Sequence, residues 1–263
     1  MSARWFPLLL VAALAVALGF LVLPVLAVFL DTSPGALLAG LGDEGALDAL
    51  RLSLVCSASA VAIVVALGTP AAYLLATRRF RGRSAVVTLV ELPLVLPPAV
   101  AGIGLLAALG PRGLLGGLVA DHLVLTTAGV VCALTFVSAP FYLRQAQAAF
   151  EAVDRSWMDA SRTLGATEAR SFLRVAIPAA GPGLLTGLAL AWGRALGEFG
   201  ATLMFAGSFR GVTQTVPLAI YERFGTDFTG ALALSAVLVV VSAALLAAVK
   251  LLSGTGWLGG AAR

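Results

Sequence analysis

Long uninterrupted apolar blocks, rather than alternation, dominate this chain of 263 residues. About 20 consecutive apolar residues suffice for a helix to cross a bilayer. Six blocks qualify: Trp5 to Leu30, Leu52 to Ala76, Ser84 to Leu109, Leu123 to Leu143, Ala179 to Ala206 and Gly230 to Leu252. A β-barrel needs alternating segments of about 10 residues instead, and backbone in lipid has no third way to satisfy its hydrogen bonds. The pattern predicts an all-α integral membrane protein with six transmembrane helices. The first block, an apolar run of about 25 residues behind Arg4, exceeds the 7–15-residue core of a signal peptide and reads as a retained span.

Breaks in the pattern divide the chain further. The third block contains Glu91, Pro93, Pro97 and Pro98, so its helix is expected to kink or to begin only after the proline pair, with Glu91 near a membrane interface. The stretch from Asp31 to Arg51 carries acidic residues with Ser, Pro and Gly, and reads as an outer surface loop. The expected organisation is a first span and loop over residues 1–48, a transmembrane domain over 49–252 and a cytoplasmic tail over 253–263.

Composition agrees, with 60% hydrophobic and 11% charged residues, against roughly half apolar and a quarter charged in soluble domains. The net charge of +4 suggests a nucleic-acid partner only until the positions are read. One set of alternate connections holds Arg4, Arg78, Arg79, Arg81, Arg83, Arg144, Arg155, Arg162, Arg170, Arg174, Lys250 and Arg263; the other holds only Arg51, Arg112, Arg210 and Arg223. Such asymmetry places the basic side, and both termini, in the cytoplasm of a multi-pass plasma-membrane protein with no nucleic-acid role. The turn Thr77–Arg83, TRRFRGR, reads as an anchor against anionic lipid. Cys56 and Cys132 fall inside spans, where a thiol acts as a small hydrophobe. His122 has no ligand-spaced companion except Asp121, which argues against a metal site or an intramembrane enzyme. The chain carries no glycine-lysine phosphate loop and is not expected to hydrolyse ATP itself. It also shows no internal repeat, which a secondary transporter usually has.

The connection from Arg144 to Pro178 is too polar to span and too patterned to be a plain linker. Phe150, Val153, Trp157, Ala160 and Leu164 recur at steps of three and four and share one helix face. Glu151 and Arg155 form an expected i,i+4 pair, and Gly165 stands where a helix would stop. Periodicity leaves two readings open, a helix resting on lipid and a helix docking into a partner's groove.

Residues 159–178, DASRTLGATEARSFLRVAIP, resemble the EAA loop of the importer permeases of the ATP-binding cassette (ABC) superfamily, whose pattern is Glu-Ala-Ala, three residues, Gly, nine residues, Ile, one residue, Leu, Pro. Asp159, Ala160 and Ser161 stand at the first three positions, followed by Gly165, Val175, Ile177 and Pro178; Asp for Glu and Ser for Ala are departures. The resemblance implies the type I ABC importer transmembrane domain with a cytoplasmic coupling helix seated in an ATPase subunit. It puts Asp159, Ala160, Ser161, Arg162 and Gly165 in or beside that contact, with Ala160 and Gly165 small for close approach and Trp157 and Leu164 packing the helix on its support. Residues 194–221 and the run LPLVLPPAVAG at 92–102 look like the permeases for tetrahedral oxyanions, molybdate above all, with tungstate and sulfate as alternatives. That resemblance implies a homodimer, two cytoplasmic ATP-binding subunits and an extracytoplasmic molybdate-binding protein meeting the outer loops around Arg112 and residues 207–229. No cofactor is expected on this chain; ATP and Mg belong to the partner.

Inside the fifth block Arg194, Glu198 and Thr202 follow at steps of four and are expected to share one helix face. A charge unpaired at the bilayer centre costs about 2.5–3.5 kcal/mol on insertion scales, so the face must meet protein or water. It either lines the translocation path or its gate, or it is a neutralised pair that locks helices together. Thr213, Gln214 and Thr215 are either donors near the outer end of an anion path or an ordinary surface turn.

Overall fold

The computed structural model of the chain describes residues 5–32, 35 and 42–252, and among these the regular structure is helical. In order come α1 (Trp5–Leu30), α2 (Glu44–Thr77), α3 (Arg83–Val95), α4 (Pro98–Leu109), α5 (Gly116–Leu123), α6 (Thr127–Glu151), α7 (Arg155–Thr163), α8 (Glu168–Ser171), α9 (Ile177–Leu196), α10 (Gly200–Ala206), α11 (Val216–Phe224) and α12 (Phe228–Leu252). A π turn, Phe172–Ala176, joins α8 to α9, so Glu168–Leu196 runs on as one helix of 29 residues. Arg4, the 253–263 tail and much of the first outer loop lie outside the described residues.

Helix α1 fills its apolar block end to end, buries none of its residues and packs against α12. Helix α2 begins at Glu44, so the stretch up to Arg51 is helix and not the expected loop. Asp43 starts it: the carboxylate accepts a hydrogen bond from the Gly45 N–H at 3.3 Å and pairs with Arg223. At 34 residues the helix is about 51 Å long at 1.5 Å per residue, more than the ~30 Å hydrocarbon layer. Its first turns bury Ala46 and Ala49 against Val216, Ala219 and Leu234.

The centre of the bundle is α2, α6 and α9. Lipid gives helices no hydrophobic reason to associate, so small residues that allow close packing carry the interface. Ala60, Ala133, Ala146 and Ala191 are each 0% exposed. A Cβ on Gly68 would stand 2.9 Å from Tyr142 Cδ1, so only glycine leaves room for that ring. The Tyr142 hydroxyl meets Thr69 Oγ1 at 2.7 Å, and Trp192 Nε1 donates to Ser57 Oγ at 3.0 Å.

Contacts at the two ends fix the number of crossings. At the basic end Arg83 at the start of α3 binds Glu151 at 2.9 Å, and Arg78 pairs with Glu168. At the opposite end Thr127 donates to the Val212 carbonyl at 2.8 Å, and Ser53 Oγ accepts from the Val216 N–H at 2.8 Å. Helices α2 and α6 therefore run in the same direction, and the chain between them crosses once. That crossing is α3 with α4, broken at Leu96–Pro97 and bent by 118°. Helix exists on both sides of the proline pair: Leu96 is extended (ψ 131°), as the residue before proline prefers, and Pro98 opens the next helix. Glu91 binds Arg144 at 2.8 Å. The fourth span runs from Thr127 to Glu151, later at both ends than its apolar block. The fifth block is not one helix, because α9 ends at Leu196 and α10 begins at Gly200.

Candidate functional site

Two features stand out, an exposed helix at the basic end and a helix break inside the bundle, joined by the Glu168–Leu196 rod. The exposed helix is α7. The expected continuous face from Phe150 to Leu164 is interrupted, because α6 stops at Glu151 and α7 restarts at Arg155. Asp154 restarts it, its Oδ1 accepting the Ser156 N–H at 2.9 Å. That hydrogen bond, and then one from the Ser156 side chain, holds the Asp154 carboxyl below its ordinary value. Phe150 stays with the bundle, edge-on to Tyr73 and tilted against Phe172, with ring centroids 5.3 and 6.2 Å away. The expected Glu151–Arg155 pair does not form; Glu151 binds Arg83 and accepts from Gln147.

Beyond the elbow, Trp157 (57% exposed), Ala160 and Leu164 (89% exposed) point away from the bundle. This corrects the assignment of Trp157 and Leu164 to packing the helix on its support. Met158 packs toward the bundle, and Ser161 Oγ meets Ser171 Oγ at 2.8 Å. Asp159 and Arg162 lie on the other side of the helix, toward the bundle, 3.6 Å apart. Gly165 has φ +81°. Around it the Ala166 N–H bonds the Ser161 carbonyl (3.1 Å) and the Gly165 N–H bonds the Arg162 carbonyl (2.9 Å), the paired closure of a helix ending on a left-handed residue. Nothing lies within 4 Å of a Cβ added at Gly165. Within this chain the glycine therefore serves the backbone turn, not a close approach.

At the far end of the rod, Arg194, Glu198 and Thr202 do not share a helix face, since the break at residues 197–199 falls between them. Arg194 and Glu198 are paired all the same, Nη1 to Oε2 at 2.5 Å, with side chains 26% and 1% exposed. Glu198 Oε1 accepts the Ala201 N–H at 2.7 Å at the start of α10, where a carboxylate also suits the helix dipole. Thr202 is 0% exposed, and its hydroxyl has no hydrogen-bond partner. Helices α4 and α10 both begin here. A Cβ on Gly200 would meet Pro98 Cβ at 2.8 Å, and one on Gly102 would meet the Ala201 carbonyl at 2.8 Å. Gly197 has no such neighbour, the nearest atom being the Gly193 carbonyl at 3.6 Å.

Thr213, Gln214 and Thr215 do not form a surface turn: they are 0%, 4% and 3% exposed. Thr213 Oγ1 accepts from the Phe209 N–H at 2.9 Å, and Gln214 donates to Glu222. Sequence reading missed the Tyr73–Phe150–Phe172 cluster at the base of α7 and the Ser53 cap on α11. Each joins residues far apart in the chain, and no local pattern marks them.

This arrangement is the fold of the transmembrane subunits of ABC importers. A bacterial importer of the acidic polysaccharide alginate superposes with a TM-score of 0.75 at 17% identity, covering 96% of each chain. The methionine importer MetNI in an inward-facing form superposes with a TM-score of 0.62 at 19% identity, covering 80% of this chain and 94% of that one. The chain belongs to the family described as the binding-protein-dependent transport system inner membrane component, which matches residues 68–254. Its relatives include a probable molybdenum ABC transporter permease of Haloferax volcanii, 39% identical over 243 residues and covering 92% of this chain and 88% of that protein. The molybdenum transport system permease of Mycobacterium tuberculosis is 39% identical over 243 residues, covering 91% and 90%. That of Escherichia coli K12 is 39% identical over 182 residues, covering 68% and 80%. The chain is thus the multi-pass permease of an importer of this type.

Proposed function

We propose that the chain is the membrane subunit of an ATP-driven molybdate importer and that α7 is where a cytoplasmic ATPase subunit takes hold. The observation that carries this reading is the outward apolar face of Trp157, Ala160 and Leu164 on a helix capped at both ends. Such a face fits the groove of a partner, with Gly165 closing the helix at its end, while Asp159, Ser161 and Arg162 lie on the side of the helix turned toward the bundle. The basic end is the cytoplasmic one, with both termini on that side, following the asymmetry of Lys and Arg. Two copies form the path, since one chain carries six crossings and no internal repeat. Each copy holds one ATPase, which binds the ATP and Mg.

The rod from Glu168 to Leu196 links the docking helix to the break. Approach of the two ATPases on ATP binding pulls the α7 helices together and shifts the rod. The shift moves the Arg194–Glu198 brace against the paired starts of α4 and α10, opening the path outward toward a molybdate-binding protein at the outer loops. Glu198 is a brace or gate and not an anion ligand, because a passing dianion would be repelled by it. Hydrolysis resets the subunits. Identity to molybdenum permeases of three organisms supports molybdate as the cargo.

The test is uptake of labelled molybdate into vesicles that hold the chain with its ATPase and binding protein. Uptake that needs ATP, resists excess sulfate and disappears with Leu164→Asp is the expected result. Strong competition by sulfate or tungstate would reassign the cargo, and uptake without the ATPase would overturn the mechanism.

A further inference from the structure

Between α7 and the bundle lies a cavity of about 520 Å³ that the transport reading leaves unused. Arg78, Arg79 and Arg83 of the α2–α3 turn line one side, and Arg155 and Arg162 of α7 line the other. Only two carboxylates join them, those of Glu151 and Asp159. Arg83 is engaged by Glu151 at 2.9 Å, Arg162 by Asp159 at 3.6 Å, and Arg78 by Glu168 just outside. Arg79 and Arg155 meet no carboxylate within ion-pair distance among the described residues. The cavity thus holds guanidinium charge that the protein does not neutralise. Its floor is apolar and aromatic, made by Tyr73, Phe150 and Ala176.

Position narrows the ligand. The floor residues come from the last turn of α2, the end of α6 and the π turn before α9. All are at the basic ends of membrane spans, the depth of lipid headgroups. Arg155, Met158, Asp159 and Arg162 follow at i, i+3, i+4 and i+7 and form the α7 face that lines the cavity. Trp157, Ala160 and Leu164 are on the opposite face. An ATPase seated on that outer face does not cover the face that lines the cavity, and to this extent the inference rests on the docking reading above. Guanidinium forks match phosphate oxygens in geometry and charge, and basic pockets between spans on this side suit anionic headgroups.

We propose that this cavity binds the phosphate group of an anionic phospholipid of the inner leaflet, with Arg79 and Arg155 as its principal ligands. The lipid would sit between the α2–α3 turn and the coupling helix, tying that helix to the bundle from behind.

Native mass spectrometry of the full chain, alone and with its ATPase, measures retention of phosphatidylglycerol against phosphatidylcholine. Selective retention of phosphatidylglycerol is expected, weakened about 30-fold by R79Q/R155Q and unchanged by R112Q at the opposite end. Equal retention of the two lipids, or a double variant that binds like the parent, would overturn the proposal. So would displacement by millimolar inorganic phosphate, which would mark a site for soluble anions. Loss of the ATPase from R79Q/R155Q with phosphatidylglycerol still retained would make the cavity a protein contact and overturn it as well. The measurement on the chain alone gives its answer whatever L164D does to docking, so failure of one reading is distinguishable from failure of the other.

Discussion

Glu198 uses its two carboxylate oxygens differently, one on Arg194 and one on the first turn of α10. Neutralising it leaves a guanidinium largely enclosed without its partner, and removing one member of a buried pair typically costs about 3–5 kcal/mol. Glu198→Gln is therefore expected to lower thermal stability in detergent more than Arg194→Gln/Glu198→Gln does. Equal losses would mean that the pair is not coupled. At Gly165, where φ is +81° and the surroundings are open, the cost of a side chain is backbone strain of about 1–2 kcal/mol. Gly165→Asn should then retain more ATPase binding than Gly165→Val, as pull-down of the ATPase would show. Local sequence was a good guide to Gly165, because a helix-terminating glycine depends on its own backbone. It was a poor guide to Trp157 and Leu164, because the same spacing describes a face turned inward or outward.

At the scale of the element, α7 is short, and its cap matters. The Asp154 carboxyl titrates below its ordinary value of 3.8, so the cap is fully present above that value and is lost as pH falls through the lower folded one. Binding of the ATPase should be flat from neutral pH down to about 4 as far as this group is concerned, and Asp154→Ala should speed exchange of the first-turn amides of the helix at neutral pH. Hydrogen exchange of the α7 amides measures both. The half-helices α4 and α10 depend on Gly102 and Gly200 for their approach. Gly200→Leu is expected to separate them and to abolish transport while leaving ATPase binding intact; transport at the parent rate would show that the approach is dispensable.

For the whole molecule, the parity of crossings is the exposed prediction. With one crossing between the α2 and α6 ends, cysteines at Arg81 and Arg210 must lie on opposite sides. An impermeant thiol reagent applied to intact cells should label Arg210→Cys and spare Arg81→Cys. Labelling of both from outside would make α3 and α4 a re-entrant pair and reverse the direction of α6.

The sequence by itself determined the class, the membrane spans and the side on which the basic connections gather, because hydropathy and loop charge act on each segment against the bilayer without needing its neighbours. It also determined the proline break at Leu96–Pro97 and the helix end at Gly165, which are properties of a few consecutive residues. Only the tertiary structure decided the break between Leu196 and Gly200, where no proline stands and Arg194 and Glu198 fit the i,i+4 spacing of a continuous helix. It alone buried Thr213–Thr215, gave Glu151 to Arg83 in place of Arg155, and turned Trp157 and Leu164 outward. In each case the deciding partner is far away in sequence: Pro98 against Gly200, Ser53 under Val216, Tyr73 and Phe172 around Phe150. Which residues meet across a bundle depends on how helices pack, and periodicity along one helix does not carry that information.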